Sequence, residues 1–192
     1  MFDTIKEAFS HFTFLTPKDL LQIASIAKFK RIKKGEHFIK VGDMNYNGAL
    51  IISGLLSYYV IDEQGNEKTL FIAAEKMNAG AMQTLFNSKP ADENIIALEN
   101  TLVVMMDIRK LEKLGVNNIR ILKLLNQSFK QVISNAADHI RFLTVLTPEQ
   151  RYDYFCKAYP NLEQRVKQKY LASFLGITPT SLSRIRARRK PD

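Results

Sequence analysis

The sequence predicts an α+β chain in three parts. Short antiparallel strands close a sandwich or barrel, one long helix follows, and the C-terminus is a helix-turn-helix. Three observations predict it. Between residues 35 and 106 the apolar residues fall in short runs separated by Gly-containing turns, the pattern of closely spaced antiparallel strands. From Ile119 onward they step by threes and fours instead, the helical period. Near the C-terminus, Leu171, Ala172 and Leu175 precede Gly176, and Thr178-Pro179 precede Leu182 and Ile185, which is helix-turn-helix spacing.

Each element has a local cause. Ile5, Phe9 and Phe12, then Leu20, Leu21, Ile23, Ala24 and Ile26, set a helical pattern over residues 4–29, and Thr16-Pro17 reads as N-cap and first helical position. Gly35-Glu36 and Gly42-Asp43 bracket the run 37–40. Ser53-Gly54 separates 49–52 from 55–61, and 62–66 (Asp-Glu-Gln-Gly-Asn) is a hairpin loop before 69–72. Residues 95–98 and 103–106 form a further strand pair. In the long helix Ile119, Leu122, Leu125, Phe129, Val132 or Ile133, Ala136, Ile140 and Leu143 share a face opposite Lys123, Gln127, Lys130, Asn135 and Asp138. From Asn117 to Arg141 it is about 38 Å long. It either packs on its own domain or forms a two-fold coiled-coil-like seam through Leu122, Leu125, Phe129, Val132, Ala136 and Ile140. Thr147-Pro148 starts a short helix that ends near Tyr159-Pro160, and helical segments follow over 165–175 and 179–189. These elements divide the chain into 1–115, 116–145 and 146–192.

In the last part, Gly176 adopts positive φ and ends the first helix sharply. Thr178 caps the second, and Pro179 suits its first position. Small Ala172 lets two crossing helices approach. With Leu182 and Ile185 turned inward, the opposite face carries Thr180, Ser181, Arg184 and Arg188. A second helix of this kind enters the DNA major groove, where arginine pairs bidentately with guanine. Arg186, Arg189 and Lys190 fit phosphate contacts, and Thr178, Ser183 and Lys169 are further DNA-contact candidates. The competing reading is a basic surface helix without sequence readout.

Charge agrees with a polyanion partner. The chain of 192 residues carries +9, from 28 Lys+Arg against 19 Asp+Glu. From Glu163 to Asp192 there are eight basic residues (Arg165, Lys167, Lys169, Arg184, Arg186, Arg188, Arg189, Lys190) and two acidic ones. Nucleic acid is the first expectation and an anionic membrane the second; a solvated basic tail is the bland alternative. Cys156 is the single cysteine, so no internal disulfide is expected, and a reducing cytoplasmic setting fits. It reads as a buried structural thiol, with a redox switch as the alternative. The longest apolar run, near 49–56, is far short of the roughly 20 residues of a membrane span, and Met1–Glu7 lacks a signal-peptide pattern. His11, His37 and His139 have no metal-type spacing, and no phosphate-binding, dinucleotide or nucleophile-elbow motif occurs. An enzyme is therefore not expected.

The order of parts, and several motifs, resemble the cyclic-AMP receptor protein-like (Crp–Fnr) transcription regulators. Residues 33–43 (Lys-Lys-Gly-Glu-His-Phe-Ile-Lys-Val-Gly-Asp) resemble that family's opening β-roll motif, and 50–56 its next hairpin. Arg151-Tyr152, Tyr159-Pro160 and 170–186 resemble a Bacteroidetes-type subgroup. The resemblance implies a cyclic-nucleotide-binding-like, cupin-like jelly roll as sensor, a dimerisation helix and a winged-helix-like DNA-binding end. With three residues after Arg189, no β-wing is expected. It implies a homodimer on palindromic double-stranded DNA, with RNA polymerase as a partner, and it places Thr180, Ser181 and Arg184 at the DNA.

The sensor departs from the family pattern. Cyclic-nucleotide binders of this family carry a Glu after the cassette glycine and a later Arg that pairs with the phosphate. Here the stretch contains Gly80, Ala81, Met82 and Gln83, then Ala91, Asp92 and Glu93. The Glu and the Arg are missing, and Asp92 and Glu93 repel a phosphate. Cyclic AMP is not expected as effector. Any other ligand would be sought at Gly80, Met82, Gln83, Ala91 and Asp92. An iron–sulfur cluster is excluded by the cysteine count, and no cofactor is expected. The alternative function is a ligand-binding β-roll that acts through protein partners and carries a non-specific basic tail.

Overall fold

The computed structural model describes residues 2–189; Met1 and 190–192 lie outside the described residues. The chain divides into two compact units, Met1–Tyr58 with Ile72–Val132, and Tyr59–Phe71 with Ile133–Asp192.

The first unit opens with α1 (Phe2–Ala8) and α2 (Pro17–Ile26). The Thr16 side chain accepts from the Asp19 N–H, and the Asp19 carboxylate accepts from the Thr16 N–H at 2.8 Å, a reciprocal cap that fixes where α2 starts. Eight strands follow: β1 (Lys28–Ile32), β2 (His37–Ile39), β3 (Asn47–Ser53), β4 (Leu56–Ile61), β5 (Glu67–Ala73), β6 (Asn78–Ala79), β7 (Asn94–Ala97) and β8 (Thr101–Asp107). They form two four-stranded sheets, ordered β1-β8-β3-β6 and β2-β7-β4-β5. The paired strands β1–β8, β3–β8, β3–β6 and β2–β7 are antiparallel. This is the expected roll. Between β6 and β7 lies the short α3 (Met82–Asn87).

Several details differ from the sequence pattern. The strands read as a pair over 95–98 and 103–106 do not pair: β7 lies between β2 and β4 in one sheet and β8 between β1 and β3 in the other, so the short link between them crosses from sheet to sheet. The helical pattern over 4–29 resolves into α1, α2 and β1, because the backbone turns extended at Ala27 (φ −77°, ψ 144°) and Lys28–Ile32 pairs with Thr101–Met105 of β8. The helical stretch from 107 divides into α4 (Ile108–Val116) and α5 (Ile119–Val145). Asn118 makes the break: its side-chain oxygen accepts from the backbone N–H of Arg120 at 3.1 Å and so starts a new helix.

One face of the β1/β8/β3 sheet is covered by helices. Ile5, Phe9, Leu20 and Ile23 pack with Val104, Met106, Leu111, Ile121, Leu124 and Leu125 in one core. The β3–β4 turn depends on Gly54, whose φ is +100°. A Cβ there would lie 2.6 Å from the Thr101 Cα, while the Thr101 hydroxyl accepts from the Leu55 N–H at 3.1 Å. Only glycine fits this approach.

The second unit takes in the outer part of the β4–β5 hairpin (Tyr59–Phe71) and the end of α5 from Ile133, and contains α6 (Pro148–Ala158), α7 (Leu162–Arg165), α8 (Gln168–Phe174) and α9 (Pro179–Ala187). Thr147 and Gln150 cap α6 reciprocally. The segment read as one helix over 165–175 is two, because Val166 is extended (φ −94°, ψ 125°). Its core is aromatic and aliphatic: Phe142, Tyr152, Phe155, Leu162, Phe174, Leu182 and Ile185 are all buried. Among the described residues no helix is long and apolar enough to cross a membrane, and no cluster of His, Cys, Asp and Glu could hold a metal.

Candidate nucleic-acid interface

α8 and α9 form the predicted helix-turn-helix. The turn follows from sequence chemistry. Gly176 takes φ +67°, its N–H bonds to the Ser173 carbonyl, and the Ile177 N–H bonds to the Ala172 carbonyl, both at 3.0 Å. This Schellman pair satisfies the last carbonyls of α8. Thr178 then caps α9, accepting from the Ser181 N–H at 3.1 Å. Ala172 has no exposed surface, and neither has Leu182, so the two helices meet through these residues as the pattern requires.

The turn is pinned from behind by Arg151. Its guanidinium donates to the carbonyls of Leu146 (3.0 Å), Leu143 (2.9 Å) and Leu175 (2.8 Å). One side chain thus ties the end of α5 to the end of α8. The planar fork of arginine makes this possible where lysine, a point charge, cannot.

The predicted contact residues separate into two groups. Thr180 and Arg184 are exposed on α9, and among the described residues no side-chain hydrogen bond or ion pair engages either. The others have intramolecular partners. The Thr178 and Ser181 hydroxyls lie 2.9 Å apart within the cap. Ser183 accepts from the Gln168 amide at 2.6 Å, and Gln168 also donates to the Pro179 carbonyl at 2.9 Å. Lys169 pairs with Glu67 at 2.9 Å, which pushes its pKa up. Arg186 lies 3.0 Å from Glu163, Arg188 3.7 Å from Glu149, and Arg189 pairs with Asp153. Lys190 lies outside the described residues. Glu163 also accepts from the Tyr152 hydroxyl. Burial, reinforced by that carboxylate, pushes the phenol up to about 12. Cys156 sits beside the same carboxylate, and burial pushes its thiol up, the opposite of an activated thiolate.

On α5 the predicted seam residues differ in exposure. Leu125 is buried at 4% in the first unit's core, with Phe129 packed against it. Val132 is half-buried, Ala136 is exposed, and Leu122 and Ile140 are exposed at 41% and 64%. Ile133, at 65%, and Ile119, at 73%, are exposed as well.

The stretch resembling the phosphate cassette is occupied by the protein's own groups. The Gly80 N–H donates to the Tyr58 hydroxyl at 3.0 Å. The Met82 N–H donates to the Glu93 carboxylate. Gln83 accepts from the Asn87 amide at 2.9 Å. Ala91 is buried and bonded through both backbone groups to the turn at Gly42-Asp43, and Asp92 is exposed. Glu93 is half-buried, and burial with the neighbouring Asp92 charge pushes its carboxyl up to about 7. Sequence reasoning singled out neither Tyr58 nor the Glu93 contact with Met82, because both depend on packing across the roll.

No protein-family model and no curated protein sequence matches the chain. Solved structures do match. FixK2 from Bradyrhizobium japonicum aligns with a TM-score of 0.74 and 15% identity, covering 85% of this chain and 84% of that one. A putative Crp/Fnr regulator from Eubacterium rectale aligns at 0.70 and 16%, covering 95% and 87%. The regulator CLP of Xanthomonas campestris, described as responsive to c-di-GMP, aligns at 0.68 and 15%, covering 88% and 89%. The chain therefore has the α+β fold of the Crp/Fnr regulators.

Proposed function

We propose that the protein is a homodimeric, sequence-specific DNA-binding transcription regulator of the Crp/Fnr type, cytoplasmic and without enzymatic activity. The observation that carries this reading is the free face of α9. Among the described residues the Arg184 and Thr180 side chains stand exposed and unpaired, on a helix whose start, turn and supporting helix are fixed by hydrogen bonds. An arginine free to pair, on a helix held in place, suits direct readout of guanine. Its substrate is palindromic double-stranded DNA, and RNA polymerase is the further partner. The same fold in structures described as regulators supports the class.

Dimerisation is supported by α5. Ile119, Leu122, Asn126, Phe129, Ile133, Ala136 and Ile140 alternate steps of three and four without interruption. That is a heptad seam, with one Asn at a core position that fixes register and a two-stranded state. It shares Leu122, Phe129, Ala136 and Ile140 with the seam expected from sequence. Leu125 and Val132 fall off this strip.

Insensitivity to cyclic AMP is supported by the cassette. Its backbone donors at Gly80 and Met82 already bond to Tyr58 and Glu93, and the exposed Asp92 carboxylate beside Glu93 repels a phosphate.

The test is selection of random duplex DNA by the purified protein at near-physiological salt. A two-fold symmetric motif, with half-sites about one helical turn apart, is expected. Enrichment without a motif, with a steep salt dependence, overturns the reading in favour of charge-driven binding.

A further inference from the structure

The second unit contains a cavity of about 100 Å³, and seven of its nine lining residues carry rings. Phe142 and Phe174, both nearly buried, form its inner side. His139 stacks on both, at 4.8 Å from Phe174 and 5.6 Å from Phe142. Phe71 stands edge-on to His139 and Phe174. Tyr154, half-exposed, and Tyr159 complete the wall. The remaining lining groups include the Asn135 amide and the Asp138 carboxylate. In a chain of net charge +9, no lysine or arginine among the described residues lines this cavity.

Such a wall selects its ligand by charge. Aromatic faces carry negative potential and attract cations, most strongly where water is excluded. Asp138, exposed on α5, supplies a counter-charge. Its field reaches across the cavity: burial, then the nearby Tyr154 and Asp138, push the Tyr159 phenol up. Burial pushes the His139 pKa down, so this ring adds no positive charge at neutral pH. An anion would meet a carboxylate and no cationic partner. In volume, the space is somewhat smaller than the roughly 150 Å³ apolar cavity that admits benzene.

We propose that this cavity binds an organic cation through a compact alkylammonium head of trimethylammonium size, held by the rings and faced by Asp138. The site lies within the unit that carries the helix-turn-helix, and the proposal does not depend on DNA binding.

The experiment uses the full chain and choline as probe. Its neutral isostere is 3,3-dimethylbutan-1-ol, in which carbon replaces the charged nitrogen. Choline methyl signals should move upfield by ring current and receive saturation from the protein, with a dissociation constant in the millimolar range or tighter. The isostere should bind at least about tenfold more weakly. Asp138→Asn and Tyr154→Leu, both at exposed positions and checked by circular dichroism, should each weaken choline at least about threefold. Equal binding of choline and isostere overturns the proposal and makes the cavity a plain apolar one. Absence of choline binding at tens of millimolar, or unchanged affinity in both variants, overturns it as well.

Discussion

The Asp19 carboxylate, which has no exposed surface, receives the Arg120 guanidinium at 2.5 Å and the Asn118 amide at 2.6 Å while it caps its own helix. One side chain thus joins the start of α2 to the start of α5. The hydrogen bond from Arg120 holds the carboxyl well below the usual carboxylate range; burial opposes it, and the bonds from Thr16 and Asn118 add to it. Asp19→Ala leaves Arg120, Asn118 and the α2 cap without their acceptor. A loss of about 3 kcal/mol in urea unfolding is expected. Because the folded pKa is depressed, this stabilisation is complete above about pH 4 and is lost as the pH falls further. A flat acid limb in the wild type would exclude the role.

Glu93 has the opposite sign. Its carboxyl is raised from 4.5 to about 7, so the folded state favours the neutral form. Stability is full below about pH 4.5, declines as the pH rises to about 7, and is level beyond. Glu93→Gln retains an acceptor for the Met82 N–H and removes the charge. It should raise stability at about pH 8 by up to about 3 kcal/mol and abolish the slope between pH 5 and 7. Thermal melts across that range decide it.

Gly54→Ala places a methyl group against the Thr101 backbone at positive φ. The turn cannot relax without breaking the Leu55–Thr101 pair. A loss of about 2–4 kcal/mol is expected, whereas Gly65→Ala, whose added Cβ meets nothing within 4 Å, costs only the strain of its own φ. The difference between the two midpoints isolates the clash.

Arg184→Ala should lower affinity for the selected DNA site by about 1–3 kcal/mol and relax preference at one base pair, with the melting curve unchanged. Arg188→Ala removes a residue held near Glu149 and should alter affinity less and without sequence dependence. Equal effects from both, on specific and random duplexes alike, would exclude readout by Arg184.

On α5, Ile133→Asp puts a charge at the centre of the heptad strip and should shift sedimentation towards the monomer. Asn126→Leu should strengthen association and admit larger assemblies. Unchanged sedimentation in both variants places the subunit interface elsewhere.

The helix-turn-helix was legible because its determinants are adjacent. Gly176, Thr178 and Pro179 specify the turn through bonds no longer than five residues. Most strands were legible because apolar runs and turns alternate. Lys28–Ile32 was not, since it continues a helical stretch without punctuation. α3 was not read as a helix either: it is six residues long, and its N-cap, Ala81, makes no side-chain bond. The partners of the arginines lie out of reach of local pattern. Arg189 meets Asp153, 36 positions back, and Lys169 meets Glu67, 102 positions back. A basic run in sequence therefore says how many cations are present, while only packing says how many are free.

That distinction bears on how fast a target can be found. Counterion release makes each free cation near a duplex a source of indiscriminate affinity, and a genome offers about 10⁶–10⁹ wrong positions. On the proposed reading, with Glu149, Asp153 and Glu163 each facing an arginine, the terminal helix would adhere less to arbitrary sequence than its charge count implies. Time lost on non-target DNA would then shorten, and the contrast between right and wrong positions would rest more heavily on Arg184.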